Sequence, residues 1–181
     1  MAQADLETFS FHNTDGPKGW QGFSVEWQRG VIRGEAEGFW SLPMTEQHVA
    51  AWIKCVRRIH SEGRPVRVIA DLRRAQTQSQ EVASTVQSQV AGLYREGDRI
   101  AVIVKASLLK TQLRRVLNSD RAMYFPDADE GERWVLSDGL NGGSHSAVIL
   151  NDSPNLKPIA GRHGGAKLSP ALLNPPWLRV G

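Results

Sequence analysis

Cysteine is nearly absent: Cys55 is the single one in 181 residues. That excludes an internal disulfide framework and suits a reducing, cytoplasmic setting. With no second cysteine and no clustered histidines, no metal site is expected. Long apolar runs are missing too. No window approaches the roughly 18 uninterrupted apolar residues of a membrane span, so the chain reads as not transmembrane. The opening MAQADLETFSFH is acidic and carries no apolar stretch behind basic residues, unlike a secretory signal. No glycine-rich phosphate loop, nucleophile elbow or ligand cluster follows any strand, so no cofactor is implied. Charge is only slightly unbalanced, at net +3 with a pI of 9.3. Its uneven part is Arg99–Arg121, a basic stretch too sparse for a nucleic-acid signature. No internal repeat is present, and nothing sets an oligomeric state.

Two short β-branched runs stand out, Val66–Asp71 (VRVIAD) and Arg99–Val104 (RIAVIV), each followed by a helix-like segment. Such runs read as parallel strands buried on both faces, hence an α/β domain. Phe23–Gln28 and Val31–Glu37 flank Arg29-Gly30, which fits a two-residue hairpin. Leu6–Phe11 could add an edge strand. A helix is predicted over about Glu46–His60, with Thr45 as N-cap and Val49, Trp52, Ile53, Val56 and Ile59 as its buried stripe. After a loop at Leu72–Gln76, Thr77 and Gln80 have capping-box spacing, and Val82, Val86, Val90 and Leu93 give a second helix its ridge. Ser107 can cap a third helix with Leu109, Leu113, Val116 and Leu117 inward. A strand at Met123–Phe125 leads into Asp127-x-x-Glu130 and a fourth helix anchored by Trp134 and Val135.

The fold class is therefore α/β: a mixed sheet of an N-terminal hairpin plus parallel strands, with about four helices packed mainly on one face. Residues 1–19 form an N-terminal extension and 20–136 the domain. Residues 137–181, rich in Gly, Pro and Ser, read as a flexible tail. Within that tail, Ala147–Leu150 could pair with a sheet edge and Pro175–Leu178 could dock on a partner. The Ser144-His145 adjacency lacks the rigid context a nucleophile needs.

Ligands of parallel sheets gather beyond the carboxyl ends of the strands, beside helix N-termini. Asp71, Arg73 and Arg74 follow one strand, and Lys105 and Ser107 the next. With Thr77 and Ser79 they form a candidate site for a small anionic ligand. The plainer account is a solvated rim whose hydroxyls cap helices, each cap contributing about 1 kcal/mol. Asp71 could instead be a general base in an enzyme, although a strand-end Asp more often ties down its loop. Phe39 and Trp40 are the candidates for edging an apolar pocket. Cys55 reads as a quiet packed thiol.

The order hairpin, helix, VIADLRR, helix, RIAVIV, helix, MYF, PDADEGERWVL resembles the STAS-like superfamily. It is most similar to the SpoIIAA-like branch, related in topology to anti-sigma-factor antagonists and the lipid-binding CRAL-TRIO fold. The resemblance covers residues 21–136 and rests on structural patterns. It implies a non-enzymatic regulatory or ligand-binding module acting through a protein partner, such as a kinase or anti-sigma-type regulator, or through a small ligand. A carrier or sensor of lipid is the alternative it implies. In the phosphoregulated relatives an Asp-Ser pair opens the second helix. Here that pair is absent, and Ser79 is the nearest hydroxyl for phosphorylation.

Overall fold

Val68 stands beside Ile100, and Ile69 beside Ala101, in a parallel ladder. The two β-branched runs are neighbours, as their composition predicts. Ile69, Ala101 and Ile103 pack into one apolar cluster, while Val68, Ile100 and Val102 pack into another on the opposite face. Both faces are covered, which is why these strands read as continuous rather than alternating apolar runs.

The computed structural model describes residues 5–105, 108–117 and 120–137. Within them six strands form one sheet whose spatial order follows the chain. β1 (Leu6–His12), β2 (Gly19–Glu26) and β3 (Val31–Gly38) are antiparallel neighbours. β3, β4 (Arg67–Ala75), β5 (Arg99–Ile103) and β6 (Ala122–Phe125) then run parallel. The helices are α1 (Leu42–Ser61), α2 (Gln80–Val90), α3 (Leu108–Leu117) and α4 (Ala128–Leu136). This is the mixed α/β sheet expected from sequence, with β1 as its edge.

Trp52, Val56 and Ile59 of α1 and Leu109 of α3 belong to one cluster, while α4 packs on the other face through Val135. α2 lies against α1 and α3. The close seat of α4 depends on Gly131, where an added β-carbon would collide with Ile103 of β5. Asp127 caps α4, accepting from Glu130 N–H at 3.0 Å, as its spacing predicts.

Four local expectations need correction. The hairpin turn is not two residues: Trp27–Arg29 form a 3₁₀ turn closed by Gly30 at φ 64°, the left-handed region that favours glycine. α1 starts earlier, capped by Ser41 with Pro43 in its first turn, where a missing N–H costs nothing. Thr45 is inside that helix and buried, its hydroxyl donating to the Ser41 carbonyl at 2.9 Å. α2 is capped by Ser79, which accepts from Val82 N–H at 3.2 Å, not by Thr77. Finally, β4 continues through the predicted loop to Ala75. The ladder steps from Glu35–Asp71 to Glu37–Arg74, so Leu72 and Arg73 stand opposite Ala36 alone. That is a β-bulge.

Candidate functional site

A cross-sheet row on the face beneath α1–α3 reads Phe9, Phe23, Gly34, Ala70, Val102, Tyr124. Large side chains stand at both ends; in the middle, Gly34 admits the Trp52 ring, 3.2 Å from where a β-carbon would stand, and Ala70 is its small neighbour. Ala36 and the bulge follow on the same strands, so the centre of the sheet is a shallow depression. Val49, Val86 and Val90 of the covering helices line the space that remains. An apolar cavity of about 130 Å³ results.

Three of the lining residues also carry a buried polar atom without a partner among the described residues: Gln21 Oε1, Trp40 Nε1 and His48 Nδ1. A buried polar group left without any partner costs about 1–3 kcal/mol. Gln21 is only 2% exposed and stands directly opposite Ala36 on β3 and Phe11 on β1. His48, one turn before Trp52 on α1, is enclosed by Phe11, Phe23 and Trp52, with ring centroids 5.4–5.6 Å away. Burial pushes its imidazole pKa down to about 4, so it is neutral at pH 7.

Trp40 is placed by the turn between β3 and α1. Gly38 has φ 69°, and a β-carbon there would strike the Lys18 carbonyl, so β2 and β3 can close this tightly only with glycine. Asn13 straps the turn, donating to the Phe39 carbonyl at 2.9 Å and accepting from Ser41 N–H at 2.8 Å. The buried amide of Gln78 accepts from Trp40 N–H at 2.8 Å and donates to the Gly38 carbonyl at 3.1 Å. At the other end, Trp52 Nε1 donates to the Tyr94 hydroxyl at 2.9 Å, and burial raises the Tyr94 pKa. A wetter recess of about 350 Å³ at the C-terminal ends of α2 and α3 shares Val90, Tyr94, Val116 and Leu117 with the cavity.

The residues expected at the strand ends are arranged differently. Asp71 and Arg73 sit inside β4 and pair with each other at 2.6 Å. Hydrogen bonding from Arg73 holds the Asp71 carboxyl below its ordinary range, making it a weaker base, and Asp71 does not line the cavity. Arg73 also feels Asp127 and Asp129. Arg74 lies 3.4 Å from Glu35 and 3.3 Å from Glu37. Ser79 is occupied as the α2 cap, while Thr77 and Lys105 are exposed. Ser107 and the whole segment from residue 138, with its Ser144-His145 pair, Ala147–Leu150 and Pro175–Leu178, lie outside the described residues.

Of the two apolar-pocket candidates, Trp40 lines the cavity, whereas Phe39 is 44% exposed and does not. Gln21, His48 and Gln78 were not singled out from sequence. Two of them did leave a signal. Gln21 shares the inward period of Phe23 and Val25, and His48 shares the helical stripe of Trp52. Gln78 left none. Cys55 is buried, and burial pushes its thiol pKa up to about 11, so it is a poor nucleophile. Among the described residues no group of three or more His, Cys, Asp and Glu could hold a metal ion, and no helix is long and apolar enough to cross a membrane.

No protein-family model and no curated protein matches this chain. Two solved structures are similar to it. One is an uncharacterized protein of the DUF3478 family with a SpoIIAA-like fold, from Shewanella loihica PV-4. It is 14% identical, covers 72% of this chain and 93% of its own, and has a TM-score of 0.45. Another is an anti-sigma factor antagonist from Mycobacterium paratuberculosis, 12% identical over 75% of this chain and 98% of its own, with a TM-score of 0.41.

Proposed function

We propose that this chain is a non-enzymatic binding module that holds a small apolar molecule between its sheet and helices α1, α2 and α3. One observation carries the reading: a cavity of about 130 Å³ with almost wholly apolar walls, floored by the small residues Gly34, Ala36 and Ala70 and by the Trp52 ring. Engineered cavities of about 150 Å³ with such walls stay dry and accept a ligand the size of benzene. This favours the hydrophobic-ligand role over a small anion at the strand ends, where Arg73 and Arg74 already face carboxylates of the chain.

A regulatory role through a protein partner fits the same arrangement. α2 roofs the cavity with Val86 and Val90 and exposes its opposite side, including Ser79 at its start. An occupant that shifts α2 alters the surface a partner reads.

Toluene titrated into the full chain is the test, with amide resonances followed by NMR. Saturable shifts at Ala70, Val86 and Val90, with a small molecule co-purifying in native mass spectrometry, support the reading. Unmoved amides together with a ligand-free native mass reject it.

A further inference from the structure

We infer that an apolar molecule enters and leaves the cavity between the C-terminal ends of α2 and α3, which part while their N-terminal halves stay fastened. The inference rests on the apolar-ligand reading and adds the route by which the occupant is exchanged.

At this end a single layer of residues separates the cavity from the wetter recess. Val90 of α2, Val116 and Leu117 of α3, and Tyr94 from the segment between α2 and β5 each line both spaces. Gln87, Ala91, Gly92 and Asp120 of the recess are exposed, so it lies at the surface. Displacing the aliphatic side chains of that shared layer therefore opens the cavity to solvent.

Packing makes this the weak end. The buried residues of α2 are Val82 and Ala83, in its first turn, and that of α3 is Leu109, also in the first turn. Val86 and Val90, like Leu113, Val116 and Leu117, are half-buried. The N-terminal halves are also tied: Ser79 caps α2, and Gln112 of α3 is bonded to Gln78 just before that cap. Between the C-terminal halves, Gln87 Nε2 donates to the Arg115 carbonyl at 3.3 Å. That bond is exposed, so water replaces it at little cost. Few buried apolar contacts and solvent-exposed hydrogen bonds place a segment at the low-stability end of a fold. Tyr94 is the fixed post, because its hydroxyl accepts from Trp52 Nε1 at 2.9 Å. The helix ends move against it.

The test is the rate at which toluene exchanges with the full chain, from NMR line shapes along a titration. Gln87→Cys and Arg115→Cys are combined and joined by a short bismaleimide; the buried Cys55 thiol does not compete. Joining is expected to lower the association and dissociation rates together by about fivefold or more, with Kd held within about twofold. Two single variants, checked for folding by circular dichroism, give a second readout. Leu117→Ala thins the shared layer and is expected to raise the association rate by about fivefold. Leu72→Ala, which lines the cavity alone from the C-terminal half of β4, leaves that rate within about twofold. A smaller fall on joining overturns the inference, as does an association rate raised more by Leu72→Ala than by Leu117→Ala. Either result leaves the cavity reading standing, because toluene still binds. If the joined chain takes up no toluene, the two single variants decide alone. If the unaltered chain binds none, the cavity reading falls and this inference with it.

Discussion

Gln112 of α3 grips the Gln78 peptide from both sides, accepting from its N–H and donating to its carbonyl, each at 3.0 Å. Gln78 in turn holds Trp40, so one side chain on α3 fastens the segment before α2 to the turn that carries the cavity's indole. Helix α3 and the segment leading into α2 are latched at this end, while the shared recess lies at the C-terminal ends of α2 and α3.

Gln112→Ala removes both bonds at a half-buried position, at a cost of about 1–2 kcal/mol. Native-state hydrogen exchange checks it. Amides of α2 and α3 are expected to exchange roughly tenfold faster, as that cost implies for locally opening helices, while β4 and β5 hold their protection. Equal acceleration in the strands would mean that the latch is global rather than local.

Ala70→Leu places an isobutyl group into the cavity from the strand position beside Val102. Filling a void of this kind typically stabilises by about 0.5–2 kcal/mol. The variant is expected to melt higher than the original chain and to lose toluene binding. A raised melting temperature with toluene binding intact would place the ligand elsewhere.

His48 makes stability depend on pH. Its folded pKa is lowered from 6.5 to about 4, so between those values the unfolded chain binds the proton and the folded chain does not. Its contribution is therefore present above pH 6.5 and lost as the pH falls towards 4, with a limiting slope of about 1.4 kcal/mol per pH unit. Urea denaturation at pH 5.0, 5.5, 6.0 and 6.5 measures it, each a set pH of about that value. His48→Phe is expected to flatten the profile, and an unchanged slope would mean that the imidazole titrates freely in the folded chain.

Asp98 is the polar hub beneath β4 and β5. Its buried carboxylate accepts from Val66 N–H and Arg95 N–H, both at 2.7 Å, and meets His60 Nε2 at 2.9 Å. Asp98→Ala strands the buried Val66 N–H, releases the half-buried Arg95 N–H and is expected to cost roughly 3 kcal/mol, with Asp98→Asn costing less. The urea midpoint reports it; a loss below about 1 kcal/mol would show that water replaces the carboxylate.

Val66–Asp71 and Arg99–Val104 announced themselves because a strand buried on both sides needs apolar residues at every position, and that need is written into adjacent letters. The Asp127 cap and the stripes of α1 and α3 were legible for the same reason: their partners lie within one helical turn. Tertiary structure alone decided the cavity. Gly34 and Ala70 are 36 places apart in the chain yet directly opposed in the sheet, and two small residues form a cavity floor only once they are neighbours. Gln21, Trp40 and His48 likewise come from a strand, a turn and a helix. Whether a polar atom has a partner depends on what packs around it, and local sequence does not contain that.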